Sequence, residues 1–341
     1  MNVQDAITLL VDRKDLSRAD AEALLGGAIM SGQATPAQIG AFLTALRMKG
    51  ETVEELTGFA SAMRRLATRV PTARRPLVDT CGTGGDGSGT FNISTTAAFV
   101  VAGAGIAVAK HGNRSASSKC GSADVLEALD VKIDVTPEIV GRCIDEIGIG
   151  FLFARALHGA MKHVAPVRAE LKIRTAFNLL GPLTNPAGAD AQIIGVYDRA
   201  RVKDMAEVLH RLGTRHAFVV AGSDGLDEIT LSGATYVAET TVQGVNTFEV
   251  TPADFGIKSN DTAALIGGDA TENARIVRAV LSGESGPCRD IVLINAAAAI
   301  RAAGGASDWK AGVELARKSI DSGAAREKLE VLVRFTNAKA V

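Results

Sequence analysis

Between residues 80 and 95 the chain reads TCGTGGDGSGTFNIST, with Gly82, Gly84, Gly85, Gly87 and Gly89 crowded into eight positions. The apolar run LVDT leads into this segment, and a helix is expected to begin near Ser94 or Thr95. So few side chains leave the loop's N–H groups bare, and the helix N-terminus behind them adds partial positive charge, so the segment is suited to an anion. An ordinary strand-to-helix turn rarely uses so many glycines, and a phosphate or pyrophosphate is the expected ligand. Strand, anion loop and helix together also constrain the fold, because this is the repeating unit of an open α/β sheet.

The unit recurs downstream. LVDT, IAVAK, QIIGVY and HAFVVAG alternate with glycine-rich loops and helical stretches, which predicts an α/β domain with a mainly parallel central sheet. TYVAET and NTFEV suit a peripheral hairpin; past residue 270 the chain reads as helix, with alanine-rich NAAAAIRAAG packing on the sheet. The first seventy residues instead read as four short helices. Thr35 and Pro36 start one that Gly50 stops, and Thr52 to Glu55 fits a capping box. Apolar stripes run through Ile39, Leu43 and Leu46 and through Leu56, Phe59, Met63 and Leu66. Residues 1–70 are therefore expected to form a small helical domain, which helices from 160–185 are candidates to rejoin, and residues 76–341 a large α/β domain. Pro71 and Pro76 bracket the basic connection PTARRP.

Gly82, Gly84 and Gly87 also satisfy G-x-G-x-x-G, but the following strand ends in Lys110 and His111, where a dinucleotide site needs an acid for the ribose. No G-K-[ST] follows either, which argues equally against a Walker loop. A cation at that strand end suggests a second phosphate contact. KHGNRSASSKCGSADVLEAL extends it with Arg114 and Lys119 as charges, Asn113, Ser115, Ser117, Ser118 and Ser122 as hydrogen-bonding groups, and Ser122 as the expected N-cap. Alone these serines would read as a solvated loop; beside the glycine loop they share a crevice at the strands' carboxyl ends. AGSDGLDEIT delivers Asp224, Asp227 and Glu228, carboxylates that repel unless a cation sits between them, and oxygen donors of this kind suit Mg²⁺. Arg168 and Arg174 stand six apart on an expected helix; either suits a carboxylate, and spacing does not rank them. His111, His158 and His163 lack metal-binding spacing and read as packing or hydrogen-bonding residues.

Net charge is −1, from 37 basic and 38 acidic residues, so no global field attracts nucleic acid or an anionic membrane. The N-terminus lacks a basic start and an unbroken apolar core, and the longest apolar run, around IVLINAAAAI, is half a membrane span, so a cytoplasmic protein is expected. Cys81, Cys120, Cys143 and Cys288 show no metal-ligand spacing, and reduced thiols are expected.

In order, VDTCGTGGDGSGTFNIST, KHGNRSASSKCGSADVLEAL, PVRAEL with RTAFNLLGPLTNP, and SDGLDEIT resemble the anthranilate phosphoribosyltransferase family along nearly the whole chain. The resemblance implies the nucleoside phosphorylase and phosphoribosyltransferase-like fold, a homodimer formed through the small domain, and transfer of the phosphoribosyl group of PRPP to the anthranilate amine in tryptophan biosynthesis. By position it implies PRPP contacts at Gly82, Gly85, Asp86, Thr90, Asn92, Ile93, Ser94 and Thr95. Lys110, His111, Gly112, Asn113, Arg114, Ser115, Ala116, Ser117, Ser118 and Ser122 would hold PRPP from the other side. Gly82, Asn113 and Arg168 would meet anthranilate, and Ser94, Asp227 and Glu228 would bind Mg²⁺, expected as two ions per subunit. Lys110 and Arg168 are assigned positioning roles in catalysis, with no general base. Gly159, Lys172 and Asp130 depart from the family pattern, the latter two where glycine is common. A pyrimidine nucleoside phosphorylase and a non-catalytic nucleic-acid-binding relative are the rival readings.

Overall fold

The computed structural model describes residues 1–115 and 119–338. Four helices open the chain: α1 (Val3–Val11), α2 (Arg18–Leu24), α3 (Pro36–Lys49) and α4 (Val53–Leu66). Each starts on a side chain, Asn2, Ser17, Thr35 or Thr52, that accepts the N–H three residues on and so satisfies a donor the helix cannot. Both α3 and α4 carry full capping boxes. Ile39, Leu43, Leu46, Leu56, Phe59 and Met63 are buried, but Leu66, expected in the same stripe, is 39% exposed because α4 ends on it.

Seven strands follow: β1 (Leu77–Asp79), β2 (Ala107–Gly112), β3 (Ile149–Phe153), β4 (Ala191–Gly195), β5 (His216–Gly222), β6 (Thr235–Thr241) and β7 (Gly244–Val250). They form one sheet in the order β3-β2-β1-β4-β5-β6-β7. β1 to β5 pair in parallel, and the β6–β7 hairpin adds an antiparallel edge. The chain steps outward from β1 to β3 in one direction and from β4 in the other, so the loops after β1 and β4 diverge and leave a crevice between them.

The remaining helices are α5 (Ile93–Gly103), α6 (Ser122–Ala128), α7 (Pro137–Arg142), α8 (Ala154–Leu157), α9 (Ala165–Leu171), α10 (Phe177–Leu180), α11 (Val202–Arg211), α12 (Ala270–Leu281), α13 (Pro287–Ala302), α14 (Trp309–Asp321) and α15 (Ala324–Asn337). Two starts differ from expectation. α5 begins at Ile93, and α6 takes Gly121 as N-cap with Ser122 already helical, because Asp124 accepts the Gly121 N–H.

Alternation along β5 separates the sheet's faces. Phe218 and Val220 join one core with α5, α12, α13 and α14, and α13 is buried from Ile291 to Ile300. Ala217, Val219 and Ala221 join the other, which continues through Met205 and Leu209 of α11 into α3 and α4 and takes in Val164, Val167, Phe177 and Leu180. The 160–185 segment thus packs with the N-terminal helices. Arg201 pairs with Glu51 at 2.7 Å across the same junction. No described helix is long and apolar enough to cross a membrane.

Candidate active site

The glycine loop runs from β1 to α5 at the crevice. Gly84, Gly85, Gly87 and Gly89 take φ of +64°, +80°, +76° and +67°, a conformation that a Cβ would strain. Thr83 donates its N–H to Gly195 O (2.8 Å) and Gly84 donates its own to Asp227 Oδ2 (2.8 Å), while Arg174 donates to Gly85 O. Gly195 must be glycine for another reason: a Cβ there would stand 1.5 Å from Asp227 O. Among the described residues no protein acceptor meets the N–H groups of Gly85, Asp86 or Gly87, which leaves three donors for an anion. The far end of the loop is tied down where Thr90 bridges Ile266. Asn92 precedes α5 without capping it, because its side chain donates to Cys120 O (3.3 Å) and accepts from Asn273 (3.0 Å).

Asp227 and Glu228 arrive from the loop after β5, on the floor beneath this cradle. The Glu228 carboxyl faces the Ser94 N–H at the start of α5 and lies beside Asp227, so the three residues assigned to Mg²⁺ lie together. Asp86 reaches the same place from the glycine loop and joins Asp227. Burial, then the neighbouring Asp86, pushes the Asp227 carboxyl up to about 8, and burial followed by Asp227 raises Glu228 well above the usual range. Three crowded carboxyls, with the proton affinity of Asp227 and Glu228 raised, fit a divalent cation, which would relieve the same repulsion that a proton does. Asp224, the third acid of its loop, turns away and accepts from Thr230 and Ser232.

Lys110, at the carboxyl end of β2, is buried; its Nζ donates to Thr80 O (2.9 Å) and Ser94 Oγ (3.3 Å) and places a positive charge against the acids. His111, its neighbour, meets His158, Nε2 to Nε2, at 3.3 Å, and among the described residues the Nδ1 of His158 has no hydrogen-bond partner. Burial lowers both rings, His111 to about 3 and His158 to about 4. Below them Asp79, pushed up to about 6 by burial, accepts from Asn185 (2.8 Å) and the His111 N–H (3.1 Å). Cys81 stands within 4.8 Å of Asp79 and His111, a contact that chain spacing alone does not show.

In the second loop Asn113 and Ser122 exchange hydrogen bonds, Ser115 donates its N–H to Asp124, and Arg114 engages Asp124 and Glu127. Gly112 closes β2 beneath them, and Thr95 is buried in the first turn of α5. Ala116, Ser117 and Ser118 lie outside the described residues. The two arginines separate. Arg168 lies on α9 with its guanidinium over the Phe177 ring, 5.4 Å from the centroid, and pairs with no carboxylate among the described residues. Arg168 and Arg174 were expected on one helix, but α9 ends at Leu171 and Arg174 lies beyond Lys172, whose φ of +51° turns the chain. Sequence reasoning passed over Asp79, Asn185, His158 and Tyr197 as contributors to the site. The paired KH at the end of β2 is the one local signal, since alternation must put one side chain on each face.

Residues 4–67 match the helical bundle domain of the glycosyl transferase family, and residues 74–326 match its a/b domain. Fold and site therefore define a glycosyl transferase. The anthranilate phosphoribosyltransferase of Moorella thermoacetica is 58% identical over 98% of both chains. The crystal structure of the Thermus thermophilus enzyme of that name superposes with a TM-score of 0.93 at 47% identity, over 98% of this chain and 100% of that one. The Saccharomyces cerevisiae enzyme in complex with PRPP and Mg superposes at 0.89 and 30% identity, over 98% and 97%. The chain belongs to the anthranilate phosphoribosyltransferase family.

Proposed function

We propose that the protein transfers the 5-phosphoribosyl group of PRPP to the amine of anthranilate, giving N-(5-phosphoribosyl)anthranilate and diphosphate. The observation that carries the choice of acceptor is Arg168, a partly buried guanidinium with no carboxylate partner among the described residues, on the segment whose continuation touches the anion loop at Gly85. The free N–H groups of Gly85 to Gly87 receive the diphosphate, with the loop from Lys110 to Ser122 on its other side. Ser94, Asp227 and Glu228, joined by Asp86, hold Mg²⁺, as two ions per subunit, and the yeast relative's complex supports Mg²⁺ beside PRPP. Magnesium supplies charge neutralisation on the leaving diphosphate. At C1 of the ribose the bond to nitrogen forms as the bond to diphosphate oxygen breaks, and the proton that the amine gives up passes to the departing diphosphate or to solvent. A neutral aryl amine needs orientation more than a base, which Arg168, Asn113 and Gly82 provide while Lys110 holds the start of α5 in place.

Residues 1–70 with the 160–185 segment form the helical domain in this reading, and residues 76–341 the α/β domain. A homodimer through the helical domain is supported by its exposed Val11, Met48 and Leu66, apolar side chains that a second copy would cover. Replacing Arg168 with alanine tests the acceptor assignment: KM for anthranilate should rise about tenfold or more, as expected for loss of a charged hydrogen bond, while KM for PRPP stays near the native value. Unchanged anthranilate kinetics would exclude this role for Arg168.

A further inference from the structure

We propose that Arg174 is a positioning residue for the diphosphate of PRPP, a role that rests on the transferase reading above and assigns the second arginine of its segment. Two contacts define it. Its Nη2 donates to the carbonyl of Gly85, and its guanidinium lies over the ring of Tyr197, 3.9 Å from the centroid. Tyr197 in turn donates its N–H to Thr83 Oγ1 at 3.2 Å, so both contacts lead back into the glycine loop.

The Gly85–Asp86 peptide is trans and planar, so its C=O and N–H point in opposite directions. Holding the carbonyl on Arg174 turns the Asp86 N–H to the opposite side. Asp227 holds the Gly84 N–H at 2.8 Å, two peptides earlier. Four glycines with positive φ give the loop no side-chain reason to keep one conformation, and these two anchors supply it. Donors fixed beforehand need no ordering when the diphosphate arrives, so the effect of Arg174 falls on PRPP affinity. No carboxylate among the described residues pairs with Arg174, so its charge also favours an anion at the loop. Lysine could keep the charge but not the flat stack on Tyr197.

The experiment uses the full chain, with calorimetric titration of PRPP in the presence of Mg²⁺, steady-state kinetics, and thermal unfolding of each variant. Arg174→Ala should weaken PRPP binding and raise its KM about tenfold, the effect of one charge-assisted hydrogen bond. KM for anthranilate at saturating PRPP should not change, nor should Tm, since Arg174 is exposed. Arg174→Lys should recover part of the affinity, Tyr197→Phe should behave as the native protein, and Tyr197→Leu should lose part of it. Native PRPP affinity in Arg174→Ala, or a rise in both KM values with a lowered Tm, would overturn the proposal while leaving the transferase reading intact. A native protein that binds no PRPP would overturn both.

Discussion

His111 and His158 face each other at 3.3 Å with their rings held down to about 3 and about 4, burial being the main cause for both. In the unfolded chain a histidine titrates at about 6.5. The folded values are depressed, so between them and the unfolded value the unfolded state binds protons that the folded state refuses. Their contribution to stability is therefore full above a pH of about 6.5 and is lost as pH falls. Asp79, raised to about 6, has the opposite sign: its contribution is full below the usual carboxylate value and is lost as pH rises through about 6. The effect of the histidines is best read as a difference between two proteins in which the carboxylates cancel. Stability of the native protein minus that of His158→Gln should fall by about 1 kcal/mol per pH unit from a pH of about 6.5 towards about 4, measured by denaturant unfolding. A difference flat across that range would show that His158 is not held neutral. Neither histidine was legible as a pair in the sequence, because 47 residues separate them and parallel strand order alone joins them. Asp227 and Glu228 were legible as a cation site, since an acidic turn carries a local signature, whereas Ser94 entered only through the family resemblance. Asp86 as the third carboxylate, and the separation of Arg168 from Arg174, depend on a loop path and a helix end that no local signature marks.

At the scale of elements, the start of α4 shows how much one cap can support. Glu55 is buried and accepts from the N–H groups of Thr52 (2.8 Å) and Leu16 (2.9 Å) and from Lys49 Nζ (2.9 Å), so it closes a capping box and also anchors the turn before α2 and the end of α3. Glu55→Ala leaves the Thr52 and Leu16 N–H groups without their acceptor and takes from Lys49 one of its two carboxylates, Asp15 remaining, and should cost about 3 kcal/mol, read as a shift in the denaturation midpoint. A cost of only about 1 kcal/mol, that of an ordinary exposed cap, would mean the anchor is unimportant. The capping boxes, β1, β2, β4, β5 and the β6–β7 hairpin all follow from patterns within a few residues. β3 was missed: IGFLF follows the π-turn Cys143–Ile147 and runs straight into α8, so its apolar run has the look of buried helix. What makes it a strand is the partner β2, a tertiary fact. The ends of α9 and of α6 both carry residues in the left-handed region, Lys172 and Asp130, a conformation that glycine adopts with least strain.

For the whole molecule, the sheet's order places the site. Strand order reverses between β1 and β4, the anion loop follows β1, and the acidic loop arrives from β5, next to β4, so the phosphate donors and the carboxylates meet over the switch point. The N-terminal helices, α9, α10 and α11 share a continuous core with one face of the sheet, which brings the Arg168 segment to that crevice. Sequence alone indicated both halves and the loops, but not that the 160–185 segment packs with the N-terminal helices, because its apolar stripe would suit either body. The most direct measurement of the proposed activity follows anthranilate fluorescence in a mixture of protein, anthranilate, PRPP and Mg²⁺, with each component omitted in turn. Loss of emission that requires all four, with diphosphate released in equal amount, is the expected result; emission unchanged by the complete mixture, with the protein folded, would contradict it.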